Sequence, residues 1–319
     1  MAAESHDVAR PGVRTVVMTR QPEQSGAVEA GLAAAGHRVA YLPLTDFELP
    51  EDTGPLRAAV ARLCGRPASP PTRQPTLDPE PDGGAPAGAR ADAGVGWLVL
   101  TSPNSVRALM LLGWDGRVDP GVRIAVTGPG TARVLTAAGY AGTPWMPGSD
   151  ASAAGILEQF PHPGGTAART VLLPQSSLAT DEVAAGLAAR GWDVERIEAY
   201  RTVPYPAESG RRLLAGAGDH GGGGAVLGTA AGAVEPRPAL VTAEDLAGAD
   251  VVLTSPSAVA ELVRRRGTAH PEGTRFLAIG LPTARAARAA GLTLAGTAQS
   301  PDAAGLLAVL TALSTTRFP

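Results

Sequence analysis

Two turns rich in hydroxyl groups carry the chemistry that this chain offers. Thr101-Ser102-Pro103-Asn104 and Thr254-Ser255-Pro256 each set Thr or Ser at a helix N-cap and proline at the first helical position, where a missing N–H costs nothing. A helix begun this way aims free backbone N–H groups and a partial positive charge outward, which suits a carboxylate or a phosphate. Gly128-Pro129-Gly130-Thr131 and Gly280-Leu281-Pro282-Thr283 place small residues and a hydroxyl at the next junction. Arg20 adds a cation after the first apolar run, and Ser176, Ser177 and Thr180 follow another. A lone Ser-Pro helix start is usually only a cap, so the weight lies in six such junctions at equivalent places.

Conventional catalytic sets are missing. His6, His37, His162, His220 and His270 are scattered without metal-ligand spacing, so no metal site is expected. There is no G-x-S-x-G elbow and no obvious carboxylate pair. The chain contains no lysine, which removes a Walker lysine, a pyridoxal Schiff base and a lysine nucleophile together. No G-x-G-x-x-G follows the first strand, and no cofactor is expected. An enzyme built from these parts works by positioning and electrostatics.

The elements that must position the turns are strands feeding helices. Residues 14–19, 97–101, 122–127, 170–173, 250–254 and 275–279 are short and rich in Val, Leu and Ile, as buried parallel strands are. After the two Thr-Ser-Pro turns the apolar positions fall at Val106, Leu109, Met110 and at Val259, Leu262, Val263, the same helical stripe twice. Gly36, Gly139, Gly191 and Gly291 stand where helices end.

Four landmarks recur in order. Ala30–Gly36 matches Ala185–Gly191, 155 residues on; Val99–Val106 matches Val252–Val259, 153 on. Thr131-Ala132-Arg133 matches Thr283-Ala284-Arg285, 152 on, and Ala153–Leu157 matches Ala303–Leu307, 150 on. The shared order and near-constant offset indicate an internal duplication of an α/β unit, with doubly wound parallel sheets.

A length of 319 residues suits two domains. The charged fraction of 18% and net charge of −3 give no basic footprint, which argues against nucleic acid and anionic membrane surfaces. Cys64 is the only cysteine, and neither secretion nor zinc is indicated. The polar start of the chain and the lack of an 18-residue apolar run lead to the expectation of a soluble, cytoplasmic protein. Residues 65–95 and 215–249, dense in Pro, Gly and Ala, read as flexible insertions, with a short ordered piece around Leu246.

Together the paired Thr-Ser-Pro turns, the Gly-x-x-Thr-Ala turns and Glu198-Ala199-Tyr200-Arg201-Thr202-Val203-Pro204 resemble the uroporphyrinogen-III synthase family. The resemblance implies two doubly wound α/β domains joined by a two-stranded linker, one domain being discontinuous in sequence. Residues 1–40 and 205–319 would form the first domain and 45–196 the second, with 41–44 and 197–204 as crossing strands. The implied substrate is hydroxymethylbilane, a linear tetrapyrrole octacarboxylate that closes with inversion of its last ring and loss of water. Tyr200 matches the linker tyrosine that helps the hydroxyl leave. Arg20, Thr101, Ser102, Asn104, Thr131, Ser176, Thr254, Ser255 and Thr283 would bind substrate. Pro282 departs from the family pattern, which often has two adjacent threonines there. A monomer is expected, with at most a transient contact to the preceding pathway enzyme.

Two rivals stand beside this reading. A non-enzymatic two-lobed α/β sensor for a small polycarboxylate would share the duplicated lobes. A nucleotide-using transferase should carry a glycine-rich phosphate loop after its first strand, and Thr19-Arg20-Gln21-Pro22 is not one.

Overall fold

A computed structural model describes residues 14–65, 94–148, 150, 152–164, 168–214 and 239–315. The apolar runs become strands and the stretches after them helices. The chain opens with β1 (Val16–Met18), α1 (Ala27–Ala34), β2 (Val39–Tyr41), β3 (Thr45–Glu48) and α2 (Gly54–Leu63). Next come β4 (Val95–Leu100), α3 (Pro103–Leu111), β5 (Arg123–Val126), α4 (Pro129–Ala137) and α5 (Ala153–Gln159). The middle of the chain holds β6 (Thr170–Ser176), α6 (Glu182–Ala189) and β7 (Asp193–Pro204). It closes with β8 (Ala239–Leu240), β9 (Asp250–Leu253), α7 (Pro256–Arg266), β10 (Arg275–Ala278), α8 (Leu281–Ala289), β11 (Leu294–Thr297) and α9 (Ala303–Thr315).

These elements form two sheets, a six-stranded one ordered β11-β10-β9-β1-β2-β8 and a five-stranded one ordered β3-β7-β6-β4-β5. The ladders of the first are parallel, as are β4–β5, β4–β6 and β6–β7 in the second. The first sheet is built from both ends of the chain, so the fold is α/β with one discontinuous unit. Among the described residues, 14–46, 203–207 and 239–315 form one compact unit. Those of 47–202 and 208–214 form the other. The boundary falls inside β3, between Asp46 and Phe47, and inside β7, between Thr202 and Val203.

Burial on both faces explains why the strands are continuously apolar. Val17 packs with Val251, Leu253 and Leu262 on one face of the first sheet, while Val16 and Met18 pack with Leu277, Leu306 and Leu310 on the other. In the second unit Leu98 and Leu100 face Leu56, Leu109 and Leu135. Trp97 and Val99 face Ile156, Phe160 and Leu187 on the opposite side.

The duplication is physical. Each sheet has a point where strand order reverses, between β1 and β9 in the first and between β6 and β4 in the second. Gly31 and Gly186, partners in the repeat, each let a helix come close. A Cβ on Gly31 would collide with Ala303 of α9, and one on Gly186 with the Leu157 side chain of α5. Gly155 and Gly305 recur for a similar reason, since a Cβ on either would strike a main-chain carbonyl, of Asp150 or of Ser300. Gly36, Gly139, Gly191 and Gly291 all take positive φ at helix ends.

Most of the two expected insertions lies outside the described residues. Of 215–249, residues 239–249 are described. Ala239–Leu240 pairs with β2 as an edge strand, and Leu246, 1% exposed, packs among Val251, Leu253 and Leu292. At the other insertion, β4 begins at Val95. Residues 41–44 do not form one crossing strand: Tyr41 ends β2, and extended pairing resumes at Thr45. Residues 197–204 are the last eight residues of a 12-residue strand, β7.

Candidate functional site

Arg20, Thr254 and Ser255 in one unit and Thr101, Ser102 and Ser176 in the other lie at the ends of the strands that flank each reversal point, while Thr131 and Thr283 follow β5 and β10, one strand further out. In the second unit α3 starts as its sequence requires. Ser102 is extended, its Oγ accepts from Asn104 N at 3.1 Å, and Pro103 opens the helix. Ser105 Oγ, buried, donates to Pro174 O at 2.7 Å and ties the helix start to β6. Thr127 Oγ1 donates to Thr101 O at 3.2 Å, joining the turns after β4 and β5.

Tyr200 reaches this place through an irregularity in β7. Gln175 pairs with Glu198 but Ser176 pairs with Tyr200, so β7 carries one extra residue there, Ala199. By strict alternation Tyr200 would share a face with exposed Arg196 and Glu198; the bulge turns it into the core beside Ile197 and Ala199. The ring is 8% exposed and lies edge-on to Phe47, centroids 5.9 Å apart. Its hydroxyl donates to Ser102 Oγ at 3.1 Å and also bonds the Ser176 side chain. Burial pushes the phenol above its ordinary value, against the opposing pull of Ser102 and Ser176, so it is a neutral donor at neutral pH.

The consequence for Ser102 is chemical. A serine hydroxyl has two acceptor sites and one donor. Asn104 N–H and Tyr200 O–H occupy the acceptors, which leaves the Ser102 O–H to donate to another molecule. Ser176 Oγ accepts from Leu178 N at 3.2 Å, so the three hydroxyls form a chain ending at Ser102.

The first unit repeats the arrangement with different groups. Thr19 Oγ1 lies 3.2 Å from Thr254 Oγ1, accepts from Thr254 N at 3.0 Å and donates to Val252 O at 2.9 Å. Ser255 caps α7 through Ala258 N at 3.0 Å. Thr131 and Thr283 are each 3% exposed in the first turns of α4 and α8, whose caps are Gly128 and Gly280.

Arg20 has a different setting from the open cation read in the sequence. Its Nε and Nη2 donate to the Glu29 carboxylate, both at 2.7 Å, and Glu29 is buried and also accepts from Gly26 N at 3.0 Å. The pair neutralises itself, so Arg20 offers an anion no net charge. Sequence reading missed Glu29 and Ser105. Ser105 bonds Pro174 on another strand, and for Glu29, beside Arg20 in the connection from β1 to α1, only the i, i+3 spacing from Gly26 was there to be seen. Among the described residues no three His, Cys, Asp or Glu stand together as metal ligands, and no helix is long and apolar enough to cross a membrane.

Duplicated parallel α/β units with capped helix starts after their strands define a class of two-unit, doubly wound α/β proteins. The family model described as uroporphyrinogen-III synthase HemD matches residues 70–308, about three quarters of the chain, and the chain belongs to that family. A chloroplastic uroporphyrinogen-III synthase of Oryza sativa subsp. japonica is 36% identical over 112 residues. That stretch is 34% of this chain and 36% of the rice protein, so the match spans about a third of its relative. A mutant uroporphyrinogen III synthase of Thermus thermophilus is 17% identical, with 95% of this chain and all of that chain covered at a TM-score of 0.48. For uroporphyrinogen-III synthetase of Helicobacter pylori 26695 the identity is 13%, the coverage 94% and 100%, and the TM-score 0.49.

Proposed function

We propose that this chain is a uroporphyrinogen-III synthase, closing hydroxymethylbilane with inversion of the last ring and loss of water, without a cofactor. Family membership supports the reaction, and one observation carries the local chemistry: the Tyr200–Ser102 hydrogen bond at the reversal point of the second sheet. In this reading Ser102 meets the departing hydroxyl and Tyr200 acts through it. The neutral phenol polarises the serine O–H, which hydrogen-bonds the oxygen as its bond to carbon breaks, and the N–H of the same pyrrole gives up the proton that completes the departing water.

In the second unit the N-termini of α3 and α4 offer backbone N–H groups suited to carboxylates, with Thr101, Asn104 and Thr131 shaping these turns; in the first unit those of α7 and α8 do the same with Thr254, Ser255 and Thr283. Uncatalysed closure gives the uninverted isomer, so the task is to favour one bound geometry over another. Cys64, unpaired, suits a reducing compartment. The test is incubation with hydroxymethylbilane, oxidation of the products and chromatography. The type III isomer is expected; formation of type I alone refutes the reading, and tight binding without turnover would favour the sensor.

A further inference from the structure

Arg107 stands one turn into α3 and is half-buried. Its Nη1 donates to Asn104 Oδ1 at 2.8 Å, and Asn104 is itself 7% exposed, immediately behind the Ser102 cap. Helical side chains lean toward the start of their helix, which brings this guanidinium back to the turn that receives the Tyr200 hydroxyl.

What sets Arg107 apart is the charge that faces it. Among the other part-buried arginines, Arg20 is met by Glu29, Arg14 and Arg275 by Asp250, and Arg266 donates to Ala243 O with Glu244 nearby. Arg190 instead spends its fork on the carbonyls of Glu158 and Phe160. Arg107 has no carboxylate partner among the described residues; a neutral amide oxygen takes one N–H and the rest of the fork is unclaimed. Burial lowers its pKa with no carboxylate to oppose the shift, the mark of a cation held in place without its anion. A protein that partly desolvates a guanidinium recovers the cost when an anion arrives, and a planar fork suits a carboxylate.

We infer that Arg107 binds a carboxylate of the substrate, on the pyrrole that carries the departing hydroxyl at Ser102. The inference rests on the synthase reading. Arg107 thereby fixes which end of the tetrapyrrole lies at the Tyr200–Ser102 pair, and Asn104 orients the fork instead of contacting substrate itself.

Three variants test it by steady-state kinetics with hydroxymethylbilane, each checked by thermal melting. Arg107→Gln keeps a donor for Asn104 Oδ1, Arg107→Met keeps the aliphatic stem, and Arg107→Lys keeps the charge. The two neutral variants are expected to raise KM about tenfold or more with kcat within threefold, because a charge-assisted bond is lost in ground state and transition state alike. Arg107→Lys, which keeps the charge and gives up the fork, should have a KM between the parent's and those of the neutral variants. Added salt should raise the parent's KM more steeply than that of the neutral variants. A KM within twofold of the parent in either folded neutral variant overturns the assignment while the parent still makes the type III isomer. Type I alone from the parent overturns the synthase reading and this assignment with it.

Discussion

Replacing Tyr200 by phenylalanine and Ser102 by alanine, singly and together, separates the two roles open to the phenol. Tyr200→Phe keeps the ring and its edge-on contact with Phe47 and removes only the oxygen bonded to Ser102 and Ser176. A neutral hydrogen bond contributes about 0.5–1.5 kcal/mol net, so the variant should unfold about 1 kcal/mol more easily in urea. If the phenol polarises Ser102 without touching substrate, its loss should lower kcat by about tenfold or less. A general acid in direct contact would forfeit about 10²–10⁴-fold.

In the proposed mechanism Ser102→Ala removes the group that meets the departing hydroxyl, and kcat should fall about a hundredfold. It also removes the α3 cap, at about 1 kcal/mol of stability, so folding must be checked by melting. The double variant should be no slower than Ser102→Ala, since a phenol that acts through Ser102 has nothing left to act upon. Single-turnover kinetics with hydroxymethylbilane give the needed rates. A drop above a hundredfold in Tyr200→Phe beside a drop under tenfold in Ser102→Ala would refute the reasoning, and so would fully additive losses.

Other predictions concern charge, packing and pH. Glu29→Gln should cost about 2–3 kcal/mol in urea unfolding, because Arg20 is left largely enclosed without its anion and the one amide oxygen that remains cannot serve both the Arg20 fork and Gly26 N. Gly31→Ala should destabilise by about 1–3 kcal/mol, since the new methyl meets the Ala303 Cβ rigidly attached to α9. Gly186→Ala meets the mobile end of Leu157 and should cost less than Gly31→Ala in the same denaturation series. Burial raises the phenol pKa of Tyr41 as well as Tyr200 in the folded protein. Their protonated forms are favoured by the fold, so this contribution is complete below about pH 10 and declines above it, as unfolded-state phenols ionise first. Urea midpoints should therefore fall above pH 10, and Tyr200→Phe should make that fall shallower.

Local rules were written plainly in the chain. Ser102 and Ser255 cap helices, Pro103 and Pro256 open them, and Gly36, Gly139, Gly191 and Gly291 close them, because each decision involves residues within a few positions of one another. The repeat gave the parallel α/β architecture, since buried strands need apolar runs and their helices need a matching stripe. The edge strands β8 and β11 carried no such signal: Leu240 is 60% exposed and β11 has no fully buried residue. The tertiary structure alone decided the site. Tyr200 and Ser102 are 98 residues apart, and they meet because β6 and β7 pair with one residue to spare at Ala199. That register is fixed by packing along the whole ladder, so no short window of sequence contains it. Whether a guanidinium is open to a ligand was likewise decided in three dimensions. Arg20 follows its strand as a binding residue should, yet its charge is met by Glu29, while Arg107, half-buried on α3, has among the described residues only an amide oxygen to hold it.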